Sequence, residues 1–253
     1  MINYAMLMTQ AAILRKELGE DSSSPIDIFS VAQNIEGLTI VYYPFGDNLS
    51  GMCIKSQHGD SLIAINSAMT LGRQRFSMAH ELYHLRFDDN MVSVCAKKLN
   101  SGLDIEKSAD MFASYFLMPD AALMEMAKKL AEKNGQKQLT LNDVIRIEQY
   151  FGVSHQAAVY RLMHTPYLGN DEGTAFLTEA VRGKAEALGY SSLLYRPSPE
   201  ARQYMTYGNY IHQVEEALAR GLISNGKYEE LLMDAFRSDL VYGDDDEEGD
   251  VVD

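Results

Sequence analysis

The sequence predicts an α+β fold, with a small mixed or antiparallel sheet among helices and a mostly helical C-terminal region. Three observations carry this. Runs of β-branched and aromatic residues are confined to residues 38–66. From Leu71 onward apolar residues recur at helical spacing with few breaks. The breaks fall where turn and capping residues cluster.

Leu7, Ala11, Leu14 and Leu18 repeat at helical spacing over residues 3–18, and Gly19 stops them. Ser24-Pro25-Ile26-Asp27 reads as a second helix start, with a serine cap, proline in the first turn and an acid three residues past the cap; Gly37 ends that helix. Residues 38–43, 51–55 and 61–66 read as strands. The last two flank "SQHGD" and form a hairpin. Helices are expected over 71–87, 104–117, 120–134, 141–151, 154–164, 174–188, 198–220 and 225–240. The organisation expected is a body at 1–165 that includes a helical pair at 141–164, a helical region at 166–243, and a disordered acidic tail at 244–253.

At 46% hydrophobic and 23% charged, the 253-residue chain has the composition of a soluble globular protein. No run approaches the eighteen or so apolar residues of a membrane span. The N-terminus lacks a basic stretch and breaks into charge at Arg15, Lys16 and Glu17, so it does not read as a signal peptide. Cys53 and Cys95 form no CxxC pair. Both read as buried apolar filler, and a reducing cytoplasm fits best. Half of the net charge of −14 lies in the last ten residues, which hold seven acids and no cation. This balance argues against nucleic-acid binding, which needs a positive footprint. Segment 141–163 could be drawn as a helix-turn-helix, but Arg161 is the one formal cation after its turn, so it reads as a structural helix pair.

The chemistry is concentrated in "RFSMAHELYHLRF", residues 75–87. His80 and His84 stand four apart, which puts both imidazoles on one helix face within reach of one metal ion. Glu81 borders that face and can act as general base without ligating the metal. Phe76, Ala79, Leu82 and Tyr83 are left for packing. Six histidines and eighteen glutamates in this chain give roughly 0.01 chance matches to HExxH. A catalytic zinc needs a third protein ligand, and no histidine follows His84 until His155. A carboxylate must supply it, and "DIEKSADMFASYFLMP" offers Glu106. Ala109, Phe112, Ala113 and Phe116 form a buried stripe whose small residues let this helix approach the first. Asp110, one turn past Glu106, is placed to accept the far N–H of a ligand histidine. Zinc, one ion per chain, is the expected cofactor; manganese and iron suit the same donor set. His155 and His164 read as surface or satisfied core histidines, with an oxyanion role open but unselected.

These motifs resemble those of the ImmA/IrrE family of bacterial and phage metallopeptidases. The family's lead into HExxH stands here as Arg75-Phe76-Ser77. Its second motif stands as Glu106, Ala109-Asp110, Phe112-Ala113 and Leu117-Met118-Pro119. Ser77 and Tyr83 depart from the usual threonine and glycine. The likeness covers residues 1 to about 165. It implies a small zincin-like, gluzincin-type core, with Glu81 catalytic, His80, His84 and Glu106 on the metal, and Asp110 on His80. It also implies a cytoplasmic endopeptidase that cuts a helix-turn-helix repressor encoded nearby. The rival is a non-cleaving regulatory or toxin–antitoxin-type binder built on the same fold. Residues 61–66 are expected as an edge strand able to pair with an extended substrate, so Ile63 and Ile65, together with Tyr83, are the candidate substrate-binding residues.

Overall fold

The computed structural model describes residues 2–46, 48–56, 59–96, 104–133, 135 and 137–243. The acidic segment 244–253, expected to be disordered, lies outside them. Helix α1 (Tyr4–Glu17) packs into the main core through Leu7, Ala11 and Leu14. Arg15 is buried as well. Its guanidinium donates to the carbonyls of Phe116 (2.7 Å), Asp21 (2.7 Å) and Ser24 (2.6 Å). Three acceptors offset the cost of sinking that charge. Helix α2 is short (Ile28–Gln33) and begins after Asp27 rather than at Ser24.

Strands β1 (Leu38–Tyr43), β2 (Leu49–Lys55) and β3 (Ser61–Asn66) come next. Leu38, Ile40 and Tyr42 alternate inward along β1, the period-2 pattern of a strand with one face on the core. β2 and β3 form the expected hairpin, and β3 then runs parallel to β1. After α3 (Leu71–Phe87), β4 (Val92–Ala96) returns antiparallel to β2. Four helices succeed it: α4 (Asp104–Leu117), α5 (Asp120–Lys133), α6 (Leu141–Phe151) and α7 (His155–Met163). α6 starts at a Thr140/Asp143 capping box.

The strand order is β4-β2-β3-β1-β5, where β5 is Met205–Gly208. β3 is therefore internal. Both its flanks are paired, and Ile63 and Ile65 are fully buried. This corrects the expectation of an edge strand at 61–66: no backbone groups remain there to receive a substrate. Proximity along the chain did not reveal that β1 and β4 would flank the hairpin.

β5 corrects a second expectation, that of one helix over 198–220. "MTYG" extends and pairs antiparallel with β1, and α10 (Asn209–Ala219) starts only after it. Gly208 permits the turn: its φ is +84°, and a Cβ there would lie 2.4 Å from the Leu38 carbonyl oxygen. The region after 165 is otherwise helical, but it contributes a strand to the same sheet. The expected helix 174–188 divides into α8 (Asn170–Phe176) and α9 (Val181–Ala187), and 225–240 into α11 (Asn225–Asp234) and α12 (Ser238–Tyr242).

α6 and α7 bury Val144, Ile147, Phe151, Ala157, Ala158 and Leu162 in the main core. Arg161 is buried too. It donates to Asp120 at 2.6 Å and lies over the Tyr115 ring. The cation that a nucleic-acid reading would need is thus already engaged inside the protein. Among the described residues no helix is long and apolar enough to cross a membrane.

Candidate metal centre

α3 lies against β2 and β3 on one side and α4 on another. It is consequently buried along a continuous run from Phe76 to His84. Tyr83 is only 6% exposed, with its ring against His84, Phe87 and Phe112. It packs the seam between α3 and α4. α4 comes close because Ala109 and Ala113 are small. Phe112 and Phe116 fill the space beside them, and all four are fully buried. Arg75, in the lead to the motif, donates to the carbonyl of Gly152 at 2.8 Å and so ties α3 to the end of α6.

This packing brings four side chains together. The Nε2 atoms of His80 and His84 lie 3.2 Å apart. Glu106 offers Oε2 at 3.3 Å from His80 Nε2 and Oε1 at 3.4 Å from His84 Nε2. Donors sharing one tetrahedral ion at about 2.0–2.1 Å stand roughly 3.3 Å from each other, so these residues fit a zinc-sized cation. Each imidazole is fixed from behind. His80 Nδ1–H donates to Asp110 at 2.9 Å and His84 Nδ1–H to Asp88 at 2.8 Å. Carboxylates only accept, so both rings keep Nε2 for the shared point. Sequence reasoning missed Asp88, although its i+4 spacing from His84 was a usable signal. Lys55 of β2 donates to the carbonyls of His84 and Asp88, closing the C-terminal end of α3.

The fourth side chain is Cys95 of β4, which had read as filler. Its sulfur, with one ligand atom from each of His80, His84 and Glu106, forms a group whose members all lie within 4.8 Å of one another. Cys53, by contrast, packs in the main apolar core, whereas Cys95 is buried outside the apolar clusters. Both thiols are free.

Glu81 is fully buried, and among the described residues neither of its carboxylate oxygens has a hydrogen-bond partner. Burial pushes its carboxyl up to about 7. It fits only because β2 carries Gly51 beside it: a Cβ at Gly51 would stand 2.8 Å from Glu81 Oε1 and 3.0 Å from the Ala64 carbonyl. Burial depresses the His84 imidazole, working against its bond to Asp88. At His80 burial acts the same way but is outweighed by Asp110, Cys95 and Glu106, which hold the ring well above its usual range. Burial would raise Glu106, yet the two histidines hold it below the usual carboxylate range. Ligation needs neutral imidazoles and an ionised carboxylate, so metal affinity at this cluster should fall as pH falls.

A buried carboxylate without a hydrogen-bond partner among the described residues, beside three converged donors of which both imidazoles are fixed by carboxylates behind them, is suited to moving a proton next to a cation. The model of the IrrE N-terminal-like domain, Peptidase M78, matches residues 34–163, a span that holds β1 to α7 and every residue of this cluster. No curated protein matches the chain. By that match over half its length, the chain belongs to the Peptidase M78 family of IrrE N-terminal-like metallopeptidases.

Proposed function

We propose that this protein is a zinc-dependent endopeptidase in which His80, His84 and Glu106 hold the ion and Glu81 is the general base. The observation that carries the reading is the convergence of three donor groups at 3.2–3.4 Å beside the unpartnered carboxylate of Glu81. When bound, the ion supplies a Lewis acid that brings water's acidity near neutrality and polarises a carbonyl. Glu81 takes a proton from the attacking water and passes one to the departing amine. Asp110 and Asp88 hold the imidazoles in the ligating tautomer. Gly51 gives Glu81 room against the sheet, and burial keeps the carboxylate basic.

The substrate class comes from the resemblance: a helix-turn-helix repressor encoded nearby, cut in the cytoplasm. The engaged state of Arg161 supports the view that this chain meets the repressor and not its DNA. Two free cysteines accord with a reducing compartment.

Metal analysis and cleavage of that neighbouring repressor in cells test the proposal together. About one zinc per chain is expected. His80→Ala or His84→Ala should strip it. Glu81→Gln should keep it and lower cleavage by about 10²–10⁴-fold, the usual contribution of a general base. Full biological activity in Glu81→Gln would favour the non-cleaving binder. Metal loss in Glu81→Gln with retention in Glu106→Gln would reverse the roles of the two glutamates.

A further inference from the structure

We propose that Cys95 is the fourth ligand of the ion held by His80, His84 and Glu106, and that β4 thereby closes the site, standing where an extended substrate would lie. This rests on the metallopeptidase reading above and adds its regulation.

The ligand count gives the first argument. A catalytic zinc keeps one position open beside three protein ligands, whereas four protein ligands make a closed site. Cys95 brings a fourth donor atom into the same group as the other three. A coordinating cation deprotonates a thiol outright, so the donor set is chemically complete. The thiol also lies close enough to Glu81 to interact with its carboxylate. Cys95 therefore adjoins both the base and the metal-binding cluster, and a thiolate bound there would take the position that a catalytic zinc leaves to water.

The sheet gives the second argument. An extended peptide can bind by adding itself to the edge of a sheet through backbone hydrogen bonds. Beside the metal cluster, β4 already fills that place on β2, running antiparallel with Val92–Val94 opposite Ile54–Met52. Cys95 is paired with Gly51, the residue whose backbone rests against Glu81. Its register thus matches the point where a bond would be cut. The β2–β4 ladder has an irregularity between Leu49 and Gly51, next to this pair. Bulges of that kind re-aim a side chain. The Ser50 hydroxyl donates to the Cys95 carbonyl at 3.1 Å and holds the turned backbone.

The third argument is how lightly β4 is held. It has five residues. Val92 and Val94 face outward at 56% and 58% exposure, and Met91 before them is 42% exposed. Of residues 92–95, only Ser93 and Cys95 point inward. Removing the strand from β2 costs backbone hydrogen bonds but little buried apolar surface. The closed chain retains its metal without hydrolysing; departure of β4 carries the thiolate away and exposes both the ion and the edge of β2.

Cobalt(II) replacing zinc in the full chain tests this. The parent protein should bind about one cobalt and display a near-ultraviolet thiolate-to-cobalt charge-transfer band. Cys53→Ala should keep that band, and Cys95→Ala should lose it. Acetohydroxamate should alter the visible cobalt spectrum of Cys95→Ala at a concentration at least tenfold below that needed for the parent. The parent spectrum decides ligation even if Cys95→Ala folds poorly, and Cys95→Ser gives a second variant for the access measurement. One cobalt per chain, dependent on His80 and His84 but without a thiolate band in the parent, would overturn the closure while leaving the hydrolase reading intact. Absence of cobalt binding would overturn both.

Discussion

Among the described residues, two largely buried sets of histidine and carboxylate stand out, one between α3 and α4, the other between α6 and α7. In the second, Glu148 is fully buried and accepts from His155 Nδ1 at 2.9 Å and from the Tyr195 hydroxyl at 2.6 Å. His155 Nε2 meets the Phe176 carbonyl at 2.9 Å. Every polar atom named there has a partner. Both ring nitrogens face acceptors, so the imidazole is held as a cation that donates twice. In the first set the rings point their Nε2 atoms at one spot, and among the described residues neither Glu81 oxygen has a hydrogen-bond partner. Residue types and burial are alike; what differs is whether the hydrogen bonding is finished. A finished network stabilises the fold, and an unfinished one is a cost to folding that a bound ion and a reacting water can repay.

The sharpest test of this comparison removes one glutamate from each set in metal-free protein. Glu148→Ala leaves a buried imidazolium without its counter-charge and should cost about 3–5 kcal/mol, with metal binding by the folded fraction unchanged. Glu81→Gln replaces a buried carboxylate whose oxygens have no hydrogen-bond partner among the described residues and should leave chemical-denaturation stability equal or higher. If Glu81→Gln were the more damaging of the two, the comparison would break.

A smaller effect is expected at the carboxylates behind the metal cluster. Asp110→Ala should weaken zinc affinity by roughly 10–100-fold, and Asp88→Ala should act similarly through His84. Asp110→Asn retains an accepting oxygen and should be mild. Zinc titration against a competing chelator reads all three. Parent-like affinity in Asp110→Ala would reduce that residue to an ordinary helix-face acid.

The smallest effect is a pH dependence of stability at His155. Burial alone would lower its pKa, but Glu148, the Phe176 carbonyl and Glu179 raise it above 6.5. A raised folded value means the contribution is fully present below the unfolded pKa and is lost as pH rises through the folded one. The stability advantage of the parent over His155→Gln should therefore shrink above pH 6.5, with a slope no steeper than about 1.4 kcal/mol per pH unit for one proton. An advantage that grew with pH would show that the ring is neutral and the network drawn differently.

Much of this was legible from residue order alone. α3, α4 and α6 begin and end where their periodicity places them, because that signal acts within a turn or two of helix. The i, i+4 relation of His80 and His84 fixed their common face, and the stripe from Ala109 to Phe116 fixed the approach of α4. Other features depended on partners distant in sequence. β3 looked like an edge strand until β1 and β2 took its two sides. "MTYG" passed for helix until β1 offered it a ladder. "VSVCA" gave no strand signal strong enough to note, and Cys95 passed for filler. Local spacing determines the direction of a side chain from its own helix or strand. Which strands adjoin, and which side chains from different elements meet at one point, is decided only when non-local packing sets the order of the sheet and brings β4, α3 and α4 around a single centre.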